Sequence, residues 1–230
     1  MAKPVAFFDI DGTLFRSSLL IELVEQCVAR GIFPPDAPKD YEKEHTAWHD
    51  REGSYEVYID AVVRCFRNHI KGVHYGTLAD VGREITQAHG RRVYRYTRDL
   101  IRSLKQDGYF LVAISQSPKT ILDEFCMEYG FDKVYGRLYE IGPQDCFTGA
   151  VLDEHLIANK GTIVRRVAEK NDVDMSKSIG VGDTDGDVPL LEMVSRAICV
   201  NPNVALYTHA KRVGWEIIVE RKDVIYTISE

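Results

Sequence analysis

The chain has 230 residues, 45% of them hydrophobic and 28% charged, a globular mix that excludes a disordered or fibrous chain and suits one large domain or a core with a smaller companion. Lys and Arg number 29 against 35 Asp and Glu, a net charge of −6, and no apolar run nears the ~20 residues of a membrane span, so neither nucleic acid nor membrane is an expected partner. The five cysteines are scattered without a Cys-x-x-Cys pair, and the start of the chain has no room for a signal peptide; both predict reduced, buried thiols in a cytoplasmic protein.

Pro4-Val5-Ala6-Phe7-Phe8 is a continuous apolar run, which predicts a strand buried on both faces and ending at Asp9-Ile10-Asp11-Gly12-Thr13. Residues 16–95 then read as helix only. Leu19, Leu20, Leu23, Val24, Cys27 and Val28 form one stripe closed by Gly31, and after Pro34-Pro35-Asp36-Ala37-Pro38 helices are predicted at 41–51, 55–70 and 78–88. This segment balances 12 basic against 12 acidic residues, so the net charge of −6 belongs to the rest of the chain. Beyond it, short apolar runs at 110–114, 133–135, 179–181 and 197–200 alternate with helical stripes around Leu104, Phe125, Val164 and Leu191. Strands alternating with helices predict an α/β fold, a Rossmann-like parallel sheet with helices on both faces. Its core would be residues 1–15 and 96–230, with 16–95 as an all-helical cap inserted after the first strand.

Ligands of open parallel sheets bind at the carboxyl ends of the strands. The residues found there are Asp9 and Asp11, then Ser115, then Asp183 and Asp187, all short and polar. Two Asp-rich turns meeting in space would repel unless a cation lay between them, and Mg²⁺ suits an all-oxygen site of this kind. Either turn taken singly reads as an Asx-turn or helix cap. An EF-hand would need Gly where Val188 stands, and a dinucleotide fingerprint would need Gly where Asp185 stands. Ser115-Gln116-Ser117-Pro118 opens a helix where a hydroxyl and free amides can hold an anion, or simply cap it. Lys160 reads alone as a solvated charge and, beside carboxylates and a phosphate, as their counter-charge.

The order Asp-x-Asp-Gly-Thr, Ser, Lys, Gly-Asp-x-x-x-Asp resembles the haloacid dehalogenase superfamily. The helical insertion and Phe147-Thr148-Gly149-Ala150-Val151 are similar to its phosphoserine-phosphatase-like branch. The resemblance implies a Mg²⁺-dependent phosphomonoester hydrolase acting on a small phosphorylated metabolite through a covalent aspartyl phosphate. Under it Asp9 is the nucleophile and Asp11 the general acid and base; Asp9, Asp11 (by its carbonyl) and Asp183 hold the metal. Thr13, Ser115 and Lys160 bind phosphate, Gly12 gives the turn, and Asp187 orients Lys160 or meets the metal through water. Two positions depart from phosphoserine phosphatases: Ser18 replaces their amine-binding Glu, and Gly186 replaces an Asn before the last Asp. Free phosphoserine is therefore an expected poor substrate.

A phosphotransferase or mutase of the same superfamily, or a phospho-receiver, would use a similar residue set, although receivers place the phospho-acceptor on a later strand. Arg64 and Arg67, beside the stripe Val62, Val63 and Phe66, are candidates to reach an anionic substrate from the cap, or plain surface charges. Trp48, Tyr41, Tyr55 and Tyr58 read as packing of the helical segment or as a specificity pocket. His45 and His49 lack the spelling of a zinc helix, and the Arg91–Arg98 stretch reads as the outer face of a helix.

Overall fold

The structure, a computed structural model, describes residues 2–157 and 159–228. In chain order the elements are β1 (Lys3–Phe8), α1 (Leu19–Ala29), α2 (Glu42–His49), α3 (Tyr55–His69), α4 (Tyr75–His89), α5 (Arg95–Gln106), β2 (Phe110–Pro118), α6 (Lys119–Tyr129) and β3 (Lys133–Ile141). They continue with β4 (Phe147–Leu152), α7 (Glu154–Ile157), α8 (Lys160–Lys170), β5 (Val173–Gly182), α9 (Val188–Leu191), β6 (Arg196–Val200), α10 (Val204–Val213), β7 (Glu216–Arg221) and β8 (Val224–Ile228). Among the described residues the eight strands form one sheet in the order β4-β3-β2-β1-β5-β6-β7-β8. Its six inner strands run parallel, whereas β4 and β8 pair antiparallel at the two edges.

β1 lies in the middle because its alternation serves two cores. Val5 and Phe7 join Ile163, Val164 and Val167 of α8 and Leu206 of α10 on one face. Ala6 and Phe8 join Ile101 and Leu104 of α5 and Ile121, Leu122 and Phe125 of α6 on the other. This second cluster runs on without interruption into Leu19 and Leu23 of α1, Phe66 of α3 and Leu78, Val81 and Ile85 of α4. Helices α1, α3 and α4 thus share apolar contacts with the sheet's own layer, each fully buried large side chain contributing about 1.5–3 kcal/mol.

The α/β parallel sheet matches the expectation, and the differences lie at its ends. The runs 110–114, 133–135 and 179–181 are parts of longer strands, β2, β3 and β5, and the strands β4, β7 and β8 and helices α7 and α10 have no counterpart in the sequence reading. Edge strands need no continuous apolar run: no position of β8 is fully buried, and Leu138, Ile141 and Leu152 of the β3–β4 edge pair are exposed. No helix among the described residues is long and apolar enough to cross a membrane.

The chain starts at the central strand, builds β2 and β3 to one side, and then crosses to β5, β6 and β7 on the other. That reversal sits at the carboxyl end of β1, where a crevice between diverging connections is expected.

Candidate active site

Asp9 follows β1 directly, its amide donating to the Val181 carbonyl of β5 over 2.9 Å. Its carboxylate is 5% exposed. Gly12 then turns the chain at φ +83°, and a Cβ there would run into the Asp183 carboxylate, so the close approach of the two motifs requires glycine. The turn delivers Thr13, whose fully buried hydroxyl lies 3.0 Å from Asp9 Oδ2 and 2.8 Å from Asp183 Oδ1. One hydroxyl proton can be donated to only one of them at a time. Thr97 of α5 donates to the Thr13 carbonyl over 2.7 Å and anchors this turn from below.

Lys160 is the first residue of α8, whose N-cap Asn159 accepts from the Gly161 amide over 3.0 Å. The helix points the ammonium inward, to 2.5 Å from Asp9 Oδ1 and 2.5 Å from Asp187 Oδ1. Asp187 is fully buried and divides its work between its oxygens. Oδ1 holds Lys160, while Oδ2 accepts from the amides of Asp183 (3.0 Å) and Thr184 (3.1 Å) and so closes the last motif into a capping box. Gly182 allows this because any Cβ there would occupy the Asp187 side chain's place. The turn reading and the functional reading of this motif therefore hold together, in one side chain.

Asp11 faces another way. Its Oδ1 accepts from the Leu19 amide at the start of α1 over 2.6 Å, and its Oδ2 accepts from the Ser115 hydroxyl over 2.5 Å. Ser115 in turn accepts from the Ser117 amide over 2.9 Å, which fixes the turn at the end of β2.

Burial dominates the electrostatics. It raises the Asp9 carboxyl to about 6; the Lys160 charge opposes the rise, and Asp187 and Asp11 add to it. Burial, then the charges of Asp9 and Asp187, likewise hold Asp183 well above the usual carboxylate range. For Lys160 burial would lower the value, but the charges of Asp187 and Asp9 together push it up. Asp9, Asp183 and Asp187 offer oxygens within 4.8 Å of one another, against the single ammonium of Lys160. An all-oxygen cluster with negative charge in excess fits a hard divalent cation such as Mg²⁺.

Of the other sequence candidates, Ser18 is 2% exposed and caps α1, its hydroxyl accepting from the Leu20 amide over 3.2 Å. Arg64 and Arg67 are not brought to the carboxylates: they face outward from α3, pair with Glu44 at 4.0 Å and Glu154 at 3.3 Å, and line an outer cavity with Asp40 and Asn68. The buried stripe of α3 is Tyr58, Ala61, Val62, Cys65 and Phe66, and helical spacing puts both arginines off it. The helical segment meets the site instead through the start of α3. Burial first, then Asp11 and Asp183, raises the Tyr55 phenol, and the nearby Asp185 charge raises the Glu56 carboxyl. Asn203, which follows β6, was not singled out in the sequence; its amide donates to the Asp183 carbonyl over 2.8 Å and its Nδ2 to Asp185 over 2.8 Å. Its position just past a strand end was the available signal.

Comparison with known proteins gives three kinds of likeness. The family model that matches is that of haloacid dehalogenase-like hydrolases, over residues 6–192. The inhibition of morphological differentiation protein of Streptomyces azureus is 26% identical, the match covering 95% of this chain and 79% of that one. The histidinol-phosphatase of Neisseria meningitidis serogroup C is 24% identical over 94% of this chain and 98% of its own length. Among solved structures, an aspartyl-phosphate intermediate analogue of phosphoserine phosphatase superposes with a TM-score of 0.64 at 17% identity, covering 97% of this chain and 96% of that one.

Proposed function

The chain belongs to the haloacid dehalogenase-like hydrolase family, and from that premise we propose that it is a Mg²⁺-dependent phosphomonoesterase that passes through an aspartyl phosphate on Asp9. The observation that carries the reading is the buried chain Asp187–Lys160–Asp9 at the ends of β1 and β5, with a second carboxylate, Asp11, two residues beyond the first. The match to a histidinol-phosphatase over nearly its full length supports phosphate ester hydrolysis over other hydrolase chemistry.

Asp9 attacks phosphorus: a carboxylate oxygen forms the new O–P bond while the ester O–P bond breaks. Asp11 gives its proton to the departing alkoxide, then takes one from the water that attacks the aspartyl phosphate, and inorganic phosphate leaves. Lys160 balances charge at the transferring group, and Asp187 keeps it aimed. Ser115, Thr13 and the amides opening α6 receive the phosphoryl oxygens. The Asp9 and Asp183 carboxylates and the Asp11 carbonyl would hold Mg²⁺, which when bound neutralises phosphate charge against an anionic nucleophile. Residues 16–95 serve as a cap that keeps bulk water out and selects the alcohol, with Tyr55 near enough to Asp11 and Asp183 for their charges to act on its phenol.

The test is a panel of phosphomonoesters assayed with and without Mg²⁺, for the wild type and Asp9→Asn. The variant keeps the shape and removes the attacking charge, so turnover should fall by roughly a thousandfold or more, and acid-quenched wild type should carry phosphate that the variant lacks. Comparable turnover by both proteins overturns the proposal.

A further inference from the structure

Arg137 is buried on β3, 8% exposed, and no step of the proposed chemistry uses it. Its Nη2 donates to Gln116 Oε1 over 2.8 Å, while its Nε has no hydrogen-bond partner. Among the described residues no carboxylate comes within the 4.0 Å of an ion pair with it. The Tyr139 phenol also lies beside this guanidinium: burial raises its pKa, and the guanidinium charge acts to lower it. Two neutral groups do not replace the water that burial removes, and the charge itself stays unpaired. The other buried cation of the site, Lys160, has two carboxylates at 2.5 Å.

Its position is specific. In strand register Arg137 lies opposite Pro118, which closes the turn Ser115-Gln116-Ser117, and Ser115 is the residue that touches Asp11. Tyr139, two residues on and so on the same face of β3, packs on Phe66 of α3 with ring centroids 5.1 Å apart. The guanidinium thus joins the turn that follows Ser115 on one side and shares a strand face with Tyr139, which packs on α3, on the other. Arginine's planar fork suits carboxylate and phosphate oxygens, and the buried, unpartnered Nε–H is one prong of it.

We infer that Arg137 is a specificity-determining residue that binds a second anionic group, a carboxylate or another phosphate, on the part of the substrate that is not hydrolysed. This rests on the phosphomonoesterase reading. Gln116 holds the fork in place until that anion arrives.

The experiment compares matched esters: 3-phosphoglycerate and 1,3-propanediol bisphosphate against uncharged-tail glycerol 3-phosphate, with p-nitrophenyl phosphate as a generic ester. Wild type should prefer at least one doubly anionic ester over glycerol 3-phosphate by about tenfold or more in kcat/KM, and which one it prefers separates carboxylate from phosphate. Arg137→Met should erase that ratio, a loss of roughly 10- to 100-fold on the preferred ester, while p-nitrophenyl phosphate turnover stays within about twofold. Arg137→Lys should restore part of the ratio. An active wild type with no such preference, or an Arg137→Met enzyme that loses all four esters equally, overturns the inference and leaves the phosphatase reading intact. If Arg137→Met does not fold, the wild-type ratio alone decides. A wild type inactive on every ester with Mg²⁺ sinks both.

Discussion

Ser18 stands where a substrate-binding acid would be expected, yet its hydroxyl is occupied by the first turn of α1. Ser18→Ala should cost about 0.5–2 kcal/mol, as lost N-caps do, and lower the melting temperature without reordering substrates. Two esters with different alcohols measure this, and a changed ratio between them would mean that Ser18 touches the substrate. The neighbouring Leu19 amide holds Asp11, so some loss of kcat should accompany the loosened turn. Asp9, Asp11 and Asp183 stood out in the sequence because two Asp-rich turns follow two separate apolar runs, where either turn alone would read as an Asx-turn or helix cap. The division of Asp187 between Lys160 and two backbone amides was not legible, since spacing says nothing of which oxygen faces where. Arg137 was hidden for the opposite reason: a lone arginine after a weak strand signal reads as a solvated edge.

At the level of elements, α3 separates two roles by helical phase. Arg64 and Arg67 sit on the outer face, their side chains 60% and 42% exposed. Ala at either should leave kcat/KM unchanged within about twofold for every ester and stability within about 0.5 kcal/mol. Phe66, fully buried between Phe33 and Tyr139, should cost about 3–5 kcal/mol as Phe66→Ala in denaturant unfolding. A specificity change in the arginine variants would show that the helix turns them inward when substrate binds. The strands around β1 were legible because doubly covered strands are apolar without a break. The β7–β8 hairpin was not: Lys222-Asp223 joins the strands with Lys222 at φ 54°, and no glycine or asparagine marks the turn.

For the whole molecule, the carboxylate cluster sets a pH dependence. The folded, metal-free chain holds the Asp9 proton up to about 6, whereas an unfolded chain releases it near pH 4. This contribution to stability is complete below pH 4 and is lost as pH rises to about 6, on the order of 2–3 kcal/mol from this group. Melting curves of wild type and Asp9→Asn without metal should therefore diverge between pH 4 and 6, the wild type losing more as pH rises. Mg²⁺ competes with that proton, so the stabilisation it gives wild type should be larger at pH 7 than at pH 5. An equal Mg²⁺ effect at both values would place the ion elsewhere. The burial that raises Asp9 has a kinetic counterpart. If Asp9, only 5% exposed, is the nucleophile proposed above, it must be uncovered for each ester that arrives and again for each phosphate that departs. Esters of very different intrinsic lability should then share one maximal rate, set by how often the door swings rather than by the bond behind it.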